Sequence, residues 1–272
     1  MRTTARGVTK KFGVYNAARH FSDRLKWSKG YEYAHDATHP ASQRAKQREF
    51  DLFKSLVPPT SLCFDVGANI GDKTNMFVKH QCRVIAVEPV RRNIQILRKR
   101  FGRVSRVMIV EGAVSDHLAR EPINVVDENT SFSSFNRSWV ESLEDKARNR
   151  WGVSVQPPSV EMVDTTTLDL LIEQYGRPYY VKIDVEGHEI HVLRGLTRAV
   201  PLISIEANLP EFIDETLSCV SKLSALAPDA VFNYTTESQD RFELAEWMSA
   251  AAFHSWLEAT DARFMEIYCR MS

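Results

Sequence analysis

Three acidic residues lie at or near the ends of apolar runs that have the composition of buried strands. They are Asp65, Glu88 and Asp184. The carboxyl ends of parallel strands meet at one edge of an open α/β sheet, where such folds bind their ligands. We therefore expect the three carboxylates to face one shared cavity.

The loop after the first run has the pattern Asp65-x-Gly67-x-x-x-Gly71. A dinucleotide-binding loop has the pattern G-x-G-x-x-G, which lets the backbone approach a pyrophosphate. This chain lacks the middle glycine and opens the loop with a carboxylate, which repels a pyrophosphate but suits an ammonium or sulfonium group. Glu88 is placed to accept hydrogen bonds from both hydroxyls of a ribose. The residues predict a positively charged adenosine derivative, a description that S-adenosylmethionine matches, and they weigh against an NAD-dependent oxidoreductase.

Charged residues alternate with apolar ones in the run that ends at Asp184. Lys182 precedes this aspartate by two positions and Glu186 follows it by two. A central parallel strand is normally apolar on both faces, so these charges need a reason. We predict that Lys182 neutralises its neighbours in a buried ion network and that Asp184 faces the ligand.

A histidine follows this strand at the predicted start of a helix. Gly187 allows a sharp turn there, and the positive end of the helix dipole disfavours a protonated His188. A neutral imidazole can accept a proton from an attacking hydroxyl near pH 7. A capping or packing role for His188 remains an alternative. Other candidates for the base occur in the N-terminal segment: His20, His35 and His39.

A metal ion is a less favoured way to activate the acceptor hydroxyl. Asp184, Glu206 and Asn208 are predicted at the ends of adjacent strands, and their hard oxygen ligands suit Mg²⁺. Glu206 could instead hydrogen-bond a loop. We therefore predict no metal site and keep these three residues as the alternative.

Two groups of motifs resemble a known family. The loop from Asp65 to Gly71, with Glu88-Pro89, resembles class I methyltransferases in general. The stretches 166–169, 181–189 and 193–196, which read TTLD, VKIDVEGHE and LRGL, resemble the FkbM-type methyltransferases. The resemblance covers roughly residues 52 to 205. It implies a Rossmann-like fold, S-adenosylmethionine as methyl donor, and methylation of a hydroxyl on a sugar or a tailored natural product.

The resemblance and the residue chemistry together give a set of predicted site residues. The predicted catalytic residues are His188, Asp184 and Glu186. The predicted cofactor-binding residues are Asp65, Gly67, Asn69, Gly71, Thr74, Glu88, Pro89, Ala113 and Asp184.

Strand and helix patterns alternate from residue 49 onward, which is typical of a parallel sheet built from βαβ units. We predict an α/β fold with a Rossmann-like, seven-stranded, mostly parallel sheet and helices on both faces. The last strand is expected to run antiparallel. The predicted strands are 61–66, 83–87, 106–110, 179–184, 202–206, 231–234 and 264–269. The predicted helices are 72–80, 91–100, 166–175, 189–199, 210–226 and 244–257.

A long connection, residues 115–163, separates the third strand from the next helix and is predicted as a lid insertion. Apolar residues recur at every fourth position within it and predict a lid helix. These residues are Trp139, Leu143, Ala147 and Trp151. The preceding stretch 129–135 offers hydroxyls and aromatic rings of the kind that bind sugars. A surface loop whose serines only satisfy turns is the equal alternative.

The first 48 residues form a basic, aromatic N-terminal extension, and 49–272 is the predicted methyltransferase domain. The extension is expected to be helical and to pack its aromatic rings on the core, with a substrate-binding or membrane-surface arm as the alternative. The whole chain has 35 basic and 35 acidic residues, so its charge makes nucleic acid an unlikely partner. The four cysteines have no paired spacing, which predicts buried reduced thiols.

Composition indicates an ordinary globular protein, with 43% hydrophobic and 26% charged residues. We find no transmembrane segment in the sequence and expect a cytoplasmic location. The function predicted is an S-adenosylmethionine-dependent O-methyltransferase that acts on a small-molecule or glycan acceptor. N-methylation on the same fold and a nucleic-acid-binding module are the alternatives. The oligomeric state is left open.

Overall fold

A computed structural model describes residues 40–126, 133–136, 158–236 and 241–271. The contacts of the chain divide it between residues 47 and 48. All the strands described here belong to the second unit, 48–272. The first helix, α1 (Pro40–Leu56), crosses this division. The histidines considered in the N-terminal extension and the predicted lid helix with its two tryptophans lie outside the described residues.

Eight strands form the main sheet. In chain order they are β1 (Leu62–Val66), β2 (Arg83–Glu88), β3 (Val107–Glu111), β7 (Tyr180–Ile183), β8 (Leu202–Asn208), β9 (Val231–Thr235), β10 (Met248–Ser249) and β11 (Phe264–Arg270). Their order across the sheet is β10-β9-β11-β8-β7-β1-β2-β3. The strands β8, β7, β1, β2 and β3 pair in parallel, and β11 pairs antiparallel with both β8 and β9.

The predicted fold class is confirmed, with one more strand than expected. The two-residue β10 pairs antiparallel with β9 and makes the eighth strand. The order of strands changes direction between β1 and β7, because the chain proceeds to β2 and β3 on one side and from β7 to β8 on the other. Open α/β sheets bind their ligands at this switch point.

Helices connect these strands. They are α2 (Asp72–Lys79), α3 (Arg91–Phe101), α4 (Leu168–Tyr175), α5 (Glu189–Arg194), α6 (Ile213–Leu226) and α7 (Ala250–Ala259). Helix α4 begins after Thr167, whose hydroxyl accepts a hydrogen bond from the Leu170 amide. This cap lies one residue later than the predicted cap. Helix α7 begins six residues later than predicted, because the Ser249 side chain caps it at the Ala252 amide.

Alternate residues of the central strands face two different apolar layers. Phe64, Val181 and Ile203 belong to one cluster of buried side chains. Their neighbours Cys63, Tyr180 and Leu202 belong to another, which also holds residues of α1 and α2. Layers on both faces explain why these strands are apolar throughout and why a charged side chain in them must find a partner.

The long connection predicted as a lid begins and ends with regular structure. Strands β4 (Ala113–Val114), β5 (Arg120–Val125) and β6 (Ser159–Thr166) form a second sheet in the order β4-β6-β5. Strand β5 pairs antiparallel with β6, and the short segment 133–136 joins β5 through a bridge between Asn124 and Ser134. This small sheet places residues 133–136 beside the ends of the main parallel strands.

All four cysteines are buried and carry free thiols. No helix in the described part of the chain combines the length and apolar composition that a bilayer-spanning helix needs.

Candidate functional site

The glycine loop after β1 touches the loop after β7. Gly67 has φ 80°, and a Cβ at this position would collide with the backbone carbonyl oxygen of Asp184. Gly71 has φ 86° and is the residue before α2, where a side chain would meet Leu97 and Phe101. Both positions require glycine, since the left-handed backbone and the close approach exclude a side chain.

Glu88, at the end of β2, is buried and accepts hydrogen bonds from its neighbours through both carboxylate oxygens. One carboxylate oxygen accepts the Asn69 amide at 2.8 Å. The other accepts the Val90 amide at 2.9 Å and the Asn93 side-chain amide at 3.1 Å. Burial raises the pKa of Glu88 to about 7, against the lowering effect of these donors. A ligand at the edge of the sheet therefore meets a carboxylate that is already held in place.

A cavity of about 180 Å³ opens at this edge. One water needs only about 10–15 Å³ by a comparable measure, so the space is large enough for a small-molecule ligand. The lining residues come from the ends of β1, β2 and β7, from β4 and β5, and from the segment 133–135. They include Gly67, Asn69, Glu88, Asn93, Phe135, Asp184, Glu186 and His188.

Most of the predicted site residues meet at this cavity. The ones that line it are Gly67, Asn69, Glu88, Pro89, Ala113, Asp184, Glu186 and His188. Asp65, Gly71 and Thr74 are not among the described residues that line it. Asp65 is turned towards α2 instead, where its carboxylate accepts a hydrogen bond from the Thr74 hydroxyl at 2.5 Å. The side chain is buried, and burial raises the pKa of Asp65.

Lys182 is the buried cation beneath the cavity. Its ammonium group donates to the Asp184 carboxylate at 2.7 Å. Burial alone would lower the pKa of Lys182, but the carboxyls of Asp184, Glu266 and Asp65 raise it well above its usual value. The side chain therefore stays charged, as expected for the core of an ion network.

Two further acidic side chains, Glu186 and Glu206, lie close to Asp184. Asp184, Glu186 and Glu206 each place a carboxylate oxygen within 4.8 Å of the others. Loss of hydration, and then the neighbouring acids, raise the pKa of Glu206 and Glu186 well above the usual value. Burial opposes the ionisation of Asp184, but Lys182 and a hydrogen bond with Glu206 hold the pKa of Asp184 below its usual value. These directions favour a protonated Glu206 beside an ionised Asp184.

The trio differs from the set predicted as a metal alternative. Glu186 stands where Asn208 was expected, and the Asn208 side chain donates to Glu206 at 3.1 Å. Three oxygen ligands are compatible with Mg²⁺. The raised pKa values of Glu186 and Glu206 and the ammonium group of Lys182 reduce the negative charge of these carboxyls, so the trio by itself does not identify a cation site.

The backbone after Asp184 is in an uncommon conformation. Glu186 has φ 56°, in the left-handed region that residues with a side chain rarely adopt, and Gly187 follows with φ 86°. The turn is held by Glu189, whose carboxylate accepts the Val185 amide at 3.1 Å and the Gly187 amide at 3.3 Å. Such local strain is often found at binding and catalytic sites.

His188 precedes α5 but does not cap it with its side chain. Its Nε2 atom lies 3.2 Å from the Ser115 hydroxyl, and its ring packs against the rings of Phe135 and His191 at centroid distances of 5.0 and 4.4 Å. Burial, followed by the nearby His191, lowers the pKa of His188 to about 4. The ring is therefore neutral near pH 7, and burial is the largest cause of the lowered pKa.

Several residues at the site were not predicted from the sequence. Asn93 lies one helical turn into α3, and its position five residues after Glu88 is a signal that could have been used. Ser115, Asp116 and His191 reach the site through the packing of α5 against the start of the long connection. Ser134 donates to the Glu186 carbonyl at 2.6 Å. These three contacts join distant segments, for which a single sequence holds no spacing signal.

Comparisons with known proteins give one family. The model of the family described as the Methyltransferase FkbM domain matches residues 65–250 of the chain. No curated protein matches the chain.

Solved structures resemble the chain only distantly. One is a TehB-like SAM-dependent methyltransferase from Corynebacterium glutamicum, with 10% identity, 88% of this chain and 99% of that chain covered, and a TM-score of 0.43. Another is the C-terminal domain of precorrin-6Y C5,15-methyltransferase from Rhodobacter capsulatus, with 15% identity, coverage of 82% and 88%, and a TM-score of 0.40. A third is an O-methyltransferase from Bacillus cereus in complex with SAH, with 11% identity, coverage of 84% and 80%, and a TM-score of 0.40. Likeness at this level says nothing about the acceptor of this chain.

Proposed function

Because the chain belongs to the FkbM methyltransferase family, we propose that it transfers a methyl group from S-adenosylmethionine to a hydroxyl of a sugar, a glycoconjugate or a tailored natural product. The observation that carries this proposal is the cavity at the switch point of the sheet, where Glu88 and Asp184 meet. Carboxyl groups at a cavity of this size favour a ligand with hydroxyl groups and a positive charge over one with phosphates.

The donor is proposed to bind between the loops after β1, β2 and β7. Glu88 has an oxygen bonded to a single described donor, Asn69, and can accept from the ribose hydroxyls of the donor. Asp184 keeps a negative charge beside Lys182 and suits the cationic part. When bound, S-adenosylmethionine supplies a methyl group on a sulfonium, which is already a strong electrophile.

The chain contributes to the transfer by positioning the acceptor and by removing a proton from it. Alignment of the acceptor oxygen with the methyl carbon supplies much of the acceleration in such a reaction. A hydroxyl is a poor nucleophile until its proton leaves, and His188 is a neutral imidazole at the wall of the cavity. We assign His188 as the general base, and Asp184 and Glu186 as the acidic residues that complete the site.

Calorimetry with S-adenosylhomocysteine tests the donor assignment. The wild-type chain is expected to bind this product, and Glu88→Ala to weaken its affinity by about tenfold or more, since a hydrogen bond to a charged group contributes roughly 1.5–3 kcal/mol. Glu173→Ala, an exposed acidic residue on α4, is the matched control. Unchanged affinity in Glu88→Ala, or no binding by the wild-type chain, would remove the proposal, and NADH is expected not to bind in a fluorescence titration.

A further inference from the structure

A second, more open cleft adjoins the donor cavity. It has a volume of about 480 Å³ and is lined by Glu121, Pro122, Phe135, Asn136, Gly187, His188 and His191. Phe135 and His188 line both spaces. A molecule in the open cleft would therefore meet a molecule in the donor cavity at these two rings.

The wall of this cleft is fixed by hydrogen bonds between the segment 133–136 and the turn before α5. The Asn136 side chain donates to the Gly187 carbonyl at 3.0 Å, and the Ser134 hydroxyl donates to the Glu186 carbonyl. The Ser134 hydroxyl also accepts the Asn136 amide at 2.8 Å. These bonds hold Phe135 in place against His188, so the boundary between the two spaces is built into the fold.

A chain of acidic and imidazole groups connects two residues that line the cleft, Glu121 and His191. Asp116 is bonded to His117 at 2.5 Å through one oxygen and lies 3.4 Å from His191 through the other. His117 lies 3.1 Å from the Glu121 carboxylate. The cleft thus offers carboxylate and imidazole acceptors for hydroxyl groups, together with the flat ring of Phe135.

The charges of the cleft discriminate between classes of acceptor. None of the described residues that line it is lysine or arginine. A phosphate group would meet the Glu121 carboxylate, and the described groups nearest to it that can offset this repulsion are the imidazoles of His117 and His191, so its binding costs free energy. A sugar ring without phosphate can place its apolar face on Phe135 and donate its hydroxyls to Glu121 and His191.

We propose that this cleft is the acceptor subsite and that it takes a polyhydroxylated ring without a phosphate or nucleotide group, with the reacting hydroxyl at His188. This inference rests on the proposed function. The acceptor oxygen forms a bond to the methyl carbon as the carbon–sulfur bond breaks, and the electron pair of that bond stays on sulfur. The hydroxyl proton passes to the His188 imidazole and from there to solvent.

A matched panel of acceptors tests the class of ligand. Transfer of a labelled methyl group from S-adenosylmethionine is measured to methyl hexopyranosides, to the corresponding hexose phosphates and to UDP-hexoses. We expect kcat/KM for at least one methyl hexopyranoside to exceed that of its phosphorylated counterpart by about tenfold or more, because one unfavourable charge contact in a partly buried site has this magnitude. Equal or better use of the phosphorylated compounds, or no transfer to any methyl hexopyranoside, overturns the inference.

Substitutions at Glu121 test the location of the subsite. Glu121→Gln is expected to raise KM for the methyl hexopyranoside by about threefold to tenfold with little change in kcat, through loss of a charged acceptor. Glu121→Lys is expected to shift the preference towards the hexose phosphate by a similar factor. Glu173→Gln and Glu173→Lys are the controls, and an unchanged preference in Glu121→Lys places the acceptor elsewhere.

Calorimetry separates failure of this inference from failure of the proposed function. If wild type and both Glu121 variants bind S-adenosylhomocysteine alike while the acceptor results are negative, the donor site stands and the cleft assignment falls. If S-adenosylhomocysteine does not bind at all, the proposed function falls first.

Discussion

The loop after β2 and the loop after β7 both deliver carboxyl groups to the cavity, but they treat them differently. In the first, one carboxylate, Glu88, has three neighbouring donors. In the second, Asp184 and Glu186 lie close to Glu206 of β8, and the Lys182 ammonium group donates to Asp184. The carboxyl of the first loop is held by hydrogen-bond donors, whereas the second loop brings acidic groups close to one another.

This difference indicates that the two loops have different roles. A satisfied carboxylate is a rigid acceptor, ready for a neutral hydroxyl pair. A crowded acidic group with a strained backbone at Glu186 costs stability and is usually retained where a ligand uses it. We therefore expect substitutions after β7 to affect reaction and stability more than those that weaken the support of Glu88.

The largest effect is expected at His188. His188→Gln keeps a polar side chain but removes the base, and kcat for transfer to a hydroxyl should fall by about 10²–10⁴-fold. Affinity for S-adenosylhomocysteine, measured by calorimetry, should change little. If transfer to the hydroxyl proceeds at the wild-type rate in this variant, His188 is not the base.

Lys182→Met tests the ion network. Removal of one partner of a buried charge pair costs about 3–5 kcal/mol, because the carboxyls of Asp184 and Asp65 lose their cation. The free energy of unfolding, measured in urea, should fall by this amount, and by far less in Lys99→Met on the exposed side of α3.

A second substitution keeps this test decisive if Lys182→Met does not fold. Adding Asp184→Asn should recover part of the loss, because it removes the charge that Lys182 compensates. Equal losses in the Lys182 and Lys99 variants would contradict the ion network.

Glu189→Gln probes the buried acid that holds the turn after β7. Burial raises the pKa of Glu189 from 4.5 to about 7, so the stabilising contribution of its protonated form is fully present below about pH 4.5 and is lost as pH rises through 7. Gln stays neutral, so the variant should be more stable than wild type by about 1–3 kcal/mol at pH 8.5 and similar to it at pH 5. Urea unfolding at both pH values measures this, and a difference that does not depend on pH would refute it.

The smallest effect is expected in the first loop. Asn93→Ala removes one of three donors to Glu88 and should weaken S-adenosylhomocysteine binding by about threefold to tenfold, the size of one hydrogen bond. Gln95→Ala, exposed on the same helix, is the control. If Asn93→Ala loses as much affinity for S-adenosylhomocysteine as Glu88→Ala, the two remaining donors are not enough to hold Glu88 in place. The contrast between the loops would then disappear.

Much of the fold followed from local sequence patterns. The apolar strands, the glycine positions and the acidic residues at strand ends predicted the sheet, the edge where its ligand would bind and the meeting of Glu88 with Asp184. The predictions at helix starts were less accurate, because Thr166 and Thr167 are both able to cap and only the hydrogen bond to Leu170 selects one. Asp65 was predicted at the cavity because residue type and spacing do not say which neighbour a buried side chain will face.

The sequence by itself determined the order of strands and helices along the chain and the edge of the sheet where polar groups meet. Periodicity, glycine spacing and charge are local properties of the chain. Only the tertiary structure decided that Thr74 takes Asp65 away from the cavity, that Glu186 joins Asp184 and Glu206, and that His188 lies between two spaces. These contacts join segments far apart in sequence, and packing and the desolvation of charges select them only when the whole domain has folded.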